Sequence, residues 1–216
     1  KWSPDPDFAT KAERVLSLHR EPPEDGPVVC IDEMGPIQPI PHQGSGRAPV
    51  GLPERHRASF KRPHGARYLY RAYDVHDDRL IGRLRPRKGE LEVVRFLHTI
   101  GMRYDPRLRT YPVQDNLSCH WTPKVRDWAS LSNVELVPPP TYASHLNRIE
   151  AHLWAISEFV ANNADHDSWK QFGLAMARHI SYRNGPHQNR RLADLERRKR
   201  IARAMRFRAE RFARAN

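Results

Sequence analysis

The run Val28-Val29-Cys30-Ile31, closed by Asp32-Glu33, decides how the rest of the chain is read. Four apolar residues in succession show no alternation of inward and outward positions. They predict a strand covered on both faces, at the centre of a sheet. An acid at the end of such a strand stands where open α/β sheets gather their chemistry, at the carboxyl edge. Thr110 to Gln114 repeats the pattern as a second short strand that delivers Asp115. Val134 to Val137 predicts a third, ended by Pro138-Pro139-Pro140.

The segments between these strands read as helices and one hairpin. Residues 5–20 carry Phe8, Ala12, Val15, Leu16 and His19 at helical spacing, and Pro22, Pro23 and Gly26 stop them. Residues 36–53, rich in Pro, Gly and Ser, predict a loop with irregular strand. Residues 66–85 predict a β-hairpin turning at Asp77-Asp78. Helices are expected over 90–104, over 122–131 with Pro at the first turn, over 145–161 and over 168–182. A hairpin followed by alternating helices and strands gives a mixed β-sheet flanked by helices, an α/β fold.

The chain has 216 residues, 38% hydrophobic and 29% charged, enough for one sizeable domain and too apolar in its centre for disorder. No stretch approaches the roughly 20 apolar residues of a membrane span, and no secretory leader pattern opens the chain. A start at Lys1 rather than Met is expected of a piece of a longer protein. Two cysteines, Cys30 and Cys119, exclude a disulfide framework and point to a reducing compartment. Both read as small buried fillers. The 12 histidines show no zinc-ligand spacing.

The balance of 37 Lys and Arg against 25 Asp and Glu gives a net charge of +12. A polyanion is the expected partner, with nucleic acid ahead of a membrane surface. Between Arg190 and Arg214, 11 basic residues face three acids, so this window holds +8 of the total. It predicts a basic C-terminal helix with a thin apolar seam of Leu195, Ala202, Met205, Ala209 and Phe212. Two readings of it stay open. It is a solvated surface helix, or it touches phosphate (Arg190, Arg191, Arg197, Arg198, Lys199 and Arg200) or packs on a partner.

Three carboxylates are placed to act together: Asp32 and Asp115 at strand ends, and Glu150 beside Ile149 on a helix whose buried face looks back at the sheet. Converging acids repel one another unless cations bind between them. Oxygen donors of this kind suit Mg²⁺ or Mn²⁺, and two such ions about 4 Å apart serve phosphodiester chemistry. Glu33 faces away from Asp32 if the strand continues, to a supporting or solvated position.

The blocks around these acids resemble those of a known family. Val-Val-Cys-Ile-Asp32-Glu33-Met-Gly-Pro-Ile-Gln is similar to the first catalytic block of mariner-like DNA transposases and their bacterial insertion-sequence relatives. Val-Gln-Asp115-Asn116-Leu-Ser-Cys-His120 resembles the second block, and Pro-Thr-Tyr-Ala-Ser-His-Leu-Asn147-Arg-Ile-Glu150 the third. Thirty-four residues separate Asp115 from Glu150, the interval of that family's Asp-Asp-Glu triad. The resemblance covers roughly residues 3–185. It departs at Ser144-His145 and Arg148, where many relatives carry other residues.

The resemblance implies an RNase H-like fold over residues 25–186. Residues 1–24 would form a linker helix following a DNA-binding region, and residues 187–216 a basic tail. It implies metal-dependent cleavage at transposon ends and 3′-OH strand transfer into target DNA. Asp32, Asp115 and Glu150 would be the catalytic triad and the ligands of two Mg²⁺ or Mn²⁺ ions. Double-stranded DNA, a homodimer and a bacterial, nucleoid-associated cytoplasmic setting follow from the same likeness. Asn116 and Asn147 would support the carboxylates or a phosphate oxygen. His120 would approach the scissile phosphate from near a helix start, or else serve as a cap or packed histidine. Two rival readings are a nuclease of the same fold without strand transfer, and a domesticated DNA-binding protein.

Overall fold

The computed structural model describes residues 3–40, 49–52, 63–161 and 165–215. Helix α1 (Phe8–Arg20) leads into the central strand β1 (Val28–Ile37). The hairpin strands β2 (Arg67–Asp74) and β3 (Arg79–Arg85) follow, then α2 (Glu90–Gly101) and β4 (Tyr111–Gln114). The remainder is helical: α3 (Pro123–Leu131), α4 (Glu150–Ile156), α5 (Trp169–Asn184) and α6 (Arg190–Ala215). The sheet order is β3-β2-β1-β4, antiparallel across the first three strands and parallel between β1 and β4. This is the expected mixed sheet flanked by helices.

Two-sided burial of β1 follows from its unbroken apolar run. Val28 and Cys30 pack on one face with Val15 and Leu18 of α1, Val113 and Ile149. Val29 and Ile31 pack on the other with Val93, Phe96, Leu97 and Ile100 of α2 and Val125 of α3. A third cluster joins Ile37 and Leu69 to Ile156, Val160, Phe172 and Met176. Here α5 lies so close over β3 that a Cβ on Gly82 would sit 2.7 Å from Ile180 Cδ1. The acids' end of the sheet is therefore held by helices on both sides.

Several boundaries differ from expectation. β1 does not end at Asp32 but runs on to Ile37, because β2 keeps its backbone paired: Asp32 with Arg71, Glu33 with Tyr70, Met34 with Leu69. Polarity alone does not end a strand that has an antiparallel neighbour. Residues 134–137 form only two isolated bridges, Thr110 with Val134 and Val113 with Val137. The backbone of Glu135 donates to Thr110 O, and that of Val137 to Pro112 O. The bond that would join the two bridges is one that Pro112, lacking an N–H, cannot donate.

The helix expected from His145 begins at Glu150. Residues 144–146 make one 3₁₀ turn, and Asn147 is extended (φ −85°, ψ 102°). The helix then widens into a π turn over Ser157–Ala161. The helix expected over 90–104 ends at Gly101. The hairpin, with Asp78 at φ 51°, matches the reading. So does α3, where the Thr122 hydroxyl accepts from Val125 N at the cap and Pro123 follows. Half of the expected 36–53 loop lies outside the described residues, and its first two residues, Pro36 and Ile37, belong to β1.

The basic helix α6 forms, but among the described side chains its apolar seam does not pack. Leu195 is 48% exposed and Met205 67%, and Ala202 and Ala209 are exposed too. Charged residues face inward instead. The buried Arg203 guanidinium donates to Glu196 Oε1 at 3.0 Å, Glu24 O at 2.8 Å and Pro23 O at 3.0 Å. One turn earlier Arg200 reaches Asp77 at 3.6 Å, and one turn later Phe207 lies 3.9 Å beneath the Arg107 guanidinium. Positions 196, 200, 203 and 207 trace the packed stripe. Exposed backbone carbonyls at residues 23–24 and an acidic hairpin turn make arginine, not leucine, the matching surface.

Candidate active site

Asp32 and Asp115 are brought side by side by strand register. The parallel pairing of β1 with β4 runs through Ile31 opposite Gln114, so each acid is the next residue on its strand. Glu150 reaches the same end of the sheet through a tether. The Asn147 side chain donates to Ile31 O at 2.8 Å, and the Glu150 backbone donates to Asn147 O at 3.1 Å. The backbone N–H groups of Arg148 and Ile149 face the Cys30 sulfur, whose thiol burial pushes up to about 12. The first residue of α4 is thus hung from the strand that carries Asp32. Glu150 itself is exposed.

Each strand acid has a cation of its own. Arg71, directly across from Asp32 on β2, donates from Nη2 to Asp32 Oδ2 at 3.0 Å. Arg71 is buried, 2% exposed, while Asp32 is 21% exposed. Burial raises the Asp32 carboxyl to about 6 against the pull of Arg71, and the neighbouring charges of Glu33 and Asp115 push the same way as burial. Asp115 is 45% exposed and receives His120 Nδ1 on Oδ1 at 2.7 Å. Burial would push this carboxyl up, but the His120 bond and charge outweigh it and hold it below the ordinary aspartate value.

His120 completes a buried chain. Its Nε2 lies 2.6 Å from Glu33 Oε1, and both side chains are 1% exposed. Burial alone would lower the imidazole, yet the two carboxylates win and lift it to about 9. It therefore carries a proton at neutral pH and donates from both nitrogens. Cys119 Sγ lies within 4.8 Å of the Glu33 and His120 ligand atoms, but those two already bond each other. The turn that carries His120 is knitted to Asp115. Trp121 Nε1 donates to Asp115 O at 2.9 Å, Leu117 N to Asp115 Oδ1 at 3.2 Å, and Gln114 Nε2 to His120 O at 3.3 Å.

Several expected roles are corrected. His120 sits in a 3₁₀ turn (Ser118–His120), packed rather than presented to a phosphate. Glu33 faces away from Asp32 as expected and takes the supporting one of its two expected positions, buried against His120. Asn116 donates to Pro139 O at 2.9 Å and Asn147 to Ile31 O, so both amides fix backbone rather than a carboxylate. Cys30 is buried as expected, whereas Cys119 is only partly covered. Sequence reading missed Arg71. An arginine among the apolar residues of β2, two residues after Leu69 and two before Tyr73, was the available signal. Among the described residues, Asp32, Asp115 and Glu150 do not gather all three carboxylates within 4.8 Å of one another. Each strand acid leans on its cation instead. The donor set fits a hard divalent ion, being all carboxylate, partly open, and strained by like charge between Asp32 and Asp115.

The sequence profile of the DDE superfamily endonucleases matches residues 27–172, well over half of the chain. The chain belongs to the DDE superfamily endonucleases. The matched span begins just before β1 and ends inside α5, so it takes in all four strands and all three acids.

Solved structures agree on the DDE fold. The Mos1 strand transfer complex superposes with a TM-score of 0.59 at 18% identity, over 84% of this chain and 57% of that one. The Mos1 mariner paired end complex with Mn gives 0.60 at 17%, over 84% and 58%. The Mos1 transposase catalytic domain with Raltegravir and Mn gives 0.59 at 16%, over 88% of each chain. This chain thus spans a little under three fifths of the Mos1 chains in those two complexes. No curated protein matches it by sequence. Among the described residues, no helix is long and apolar enough to cross a membrane.

Proposed function

We propose that this chain is the catalytic part of a DNA transposase, cutting at transposon ends and joining the freed 3′-OH to target DNA. One observation carries the reading. The register of β1 and β4 sets Asp32 beside Asp115, and the Asn147 tether starts α4, with Glu150 first, at the same sheet end. Family membership supports it, as does the likeness to Mos1 complexes named for paired ends and strand transfer.

In this reading Asp32 and Asp115 hold divalent ions, Mg²⁺ or Mn²⁺, and Glu150 completes the second site. Two such ions, when bound, supply an activated oxygen nucleophile and charge for the leaving oxygen. The rest falls to the chain's own residues. His120 and Glu33 fix the Asp115 carboxylate by a charged hydrogen bond from behind. Asn147 keeps the start of α4 against β1. Double-stranded DNA is the substrate, and two copies of the protein hold the two ends. Exposed cations of α6 (Arg190, Arg191, Arg198 and Lys199, with Arg197 beside Asp194 and Arg200 leaning on Asp77) add affinity for phosphate.

The test is cleavage of DNA carrying the element's ends in Mg²⁺ or Mn²⁺, by the protein with its natural preceding sequence. Asp115→Asn keeps the side chain's shape and removes a charge the ions need. It is expected to lower cleavage by about a thousandfold or more with DNA binding retained. Near-normal cleavage by the variant would refute the site. Joined products separate transposition from hydrolysis by a simple nuclease.

A further inference from the structure

We propose that Arg71 is a resident cation of the metal site, one that holds Asp32 and sets how much divalent ion the site needs. The inference rests on the reading of Asp32 as an ion ligand. Three observations carry it. Arg71 stands directly opposite Asp32 in the β1–β2 register, so both side chains leave the same face of the sheet. Its guanidinium is 2% exposed and bonds Asp32 Oδ2 at 3.0 Å. Among the described residues its other bond is a weak one, Nη1 to Met34 Sδ at 3.9 Å, while Nε is buried without an acceptor there.

A buried guanidinium so thinly bonded depends on the acids beside it: Asp32, which it bonds, and Glu33, whose charge also supports it. Arginine does not give up its proton in a protein, so the charge stays. Nor does water reach the group to screen it, since the side chain is almost wholly buried. Any ion that takes Asp32 shares it with this fixed charge, on the side away from Asp115. Asp32 thereby becomes a shared ligand: Oδ2 bonds Arg71, the Glu33 backbone N–H also bonds the carboxylate, and an ion takes the capacity that is left. The same charge opposes the ion. Even with the full screening of water, a unit charge about 6 Å from a divalent ion weakens its binding about tenfold.

Arg71 thus does for Asp32 what the buried His120 does for Asp115. It neutralises an acid that strand register forces beside another acid, in the protein without ions. The cost falls on ion affinity.

The experiment is Mn²⁺ binding to the whole chain, read from the signal of free Mn²⁺ in electron paramagnetic resonance. Arg71→Met and Arg71→Gln remove the charge, and the second keeps a donor for Asp32. Both are expected to bind Mn²⁺ at least about tenfold more tightly than the wild type. Arg71→Lys keeps the charge and is expected to stay within about threefold of the wild type. Thermal melts of all three establish that they fold. Unchanged or weaker binding by both neutral variants overturns the inference, as does tightening by Arg71→Lys equal to theirs. Asp32→Asn separates the two layers of the argument. It is expected to weaken Mn²⁺ binding by more than about tenfold, and no change there would refute Asp32 as a ligand at all.

Discussion

Replacing Glu33 by Gln tests the buried chain behind Asp115. The substitution keeps the shape and a hydrogen-bond acceptor but removes the charge that faces His120. In the folded protein His120 moves from the ordinary 6.5 to about 9. That displacement is worth about 3 kcal/mol of stability. The sign is fixed by the direction. The folded state binds this proton more tightly than the unfolded chain, so the stabilisation is complete below pH 6.5. It is lost as pH rises through about 9. Two carboxylates share it, at 2.6 and 2.7 Å. Glu33, at 1% exposure, is screened far less than Asp115 at 45%, so it holds the larger part. Glu33→Gln is therefore expected to cost about 2 kcal/mol at about pH 6 and little at about pH 10. Urea unfolding of both proteins at the two pH values measures it, since other titrating groups cancel in the difference. An equal cost at both pH values would mean that His120 does not hold its proton in the fold, and the argument fails.

Arg203→Ala removes three hydrogen bonds, the one to Glu196 buried and the other two partly so, and leaves Glu196 unpaired, so it is expected to destabilise the protein by about 3 kcal/mol. It should also raise hydrogen exchange through residues 190–215; exchange as slow as in the wild type would mean that α6 docks by other means. Deleting residues 190–216 is expected to flatten the salt dependence of DNA binding by about 0.9 for each phosphate that α6 neutralises, and an unchanged slope would exclude α6 from the DNA interface. Thr122→Ala removes the cap of α3 and is expected to cost about 1 kcal/mol in urea unfolding.

How much of this was legible in the sequence depends on the range of the interaction. The centre of the sheet was readable because Val28 to Ile31 needs cover on both faces whatever the rest of the chain does. The hairpin and the start of α3 were readable from turn and cap residues acting within a few positions. Boundaries set by distant partners were not. β1 passes Asp32 because β2 pairs with it, and residues 134–137 fail as a strand through one proline on the neighbouring strand. The start of α4 is set by an asparagine bonded to a carbonyl 116 residues earlier in the chain. An apolar repeat at 146, 149, 153, 156 and 160 reads the same in the sequence with or without that break.

The site divides along the same line. Asp32, Asp115 and Glu150 could be named as candidates, the first two from local strand ends and all three from the likeness of their blocks to a known family. What surrounds them could not. Arg71 and Asp32 are 39 residues apart, and His120 and Glu33 are 87. Only the register of β1 against β2 and β4 makes them neighbours. Net charge is silent in a related way. The +8 of the tail leaves a solvated face, phosphate contact and packing on a partner all open, whereas Arg203 points inward and Arg200 leans on the acidic turn at Asp77. A count of arginines says nothing of which carbonyls and carboxylates the fold leaves bare. In this protein those bare groups, at Pro23, Glu24 and Asp77, decide which face of α6 is buried. The cations left outside are the ones a DNA backbone can meet.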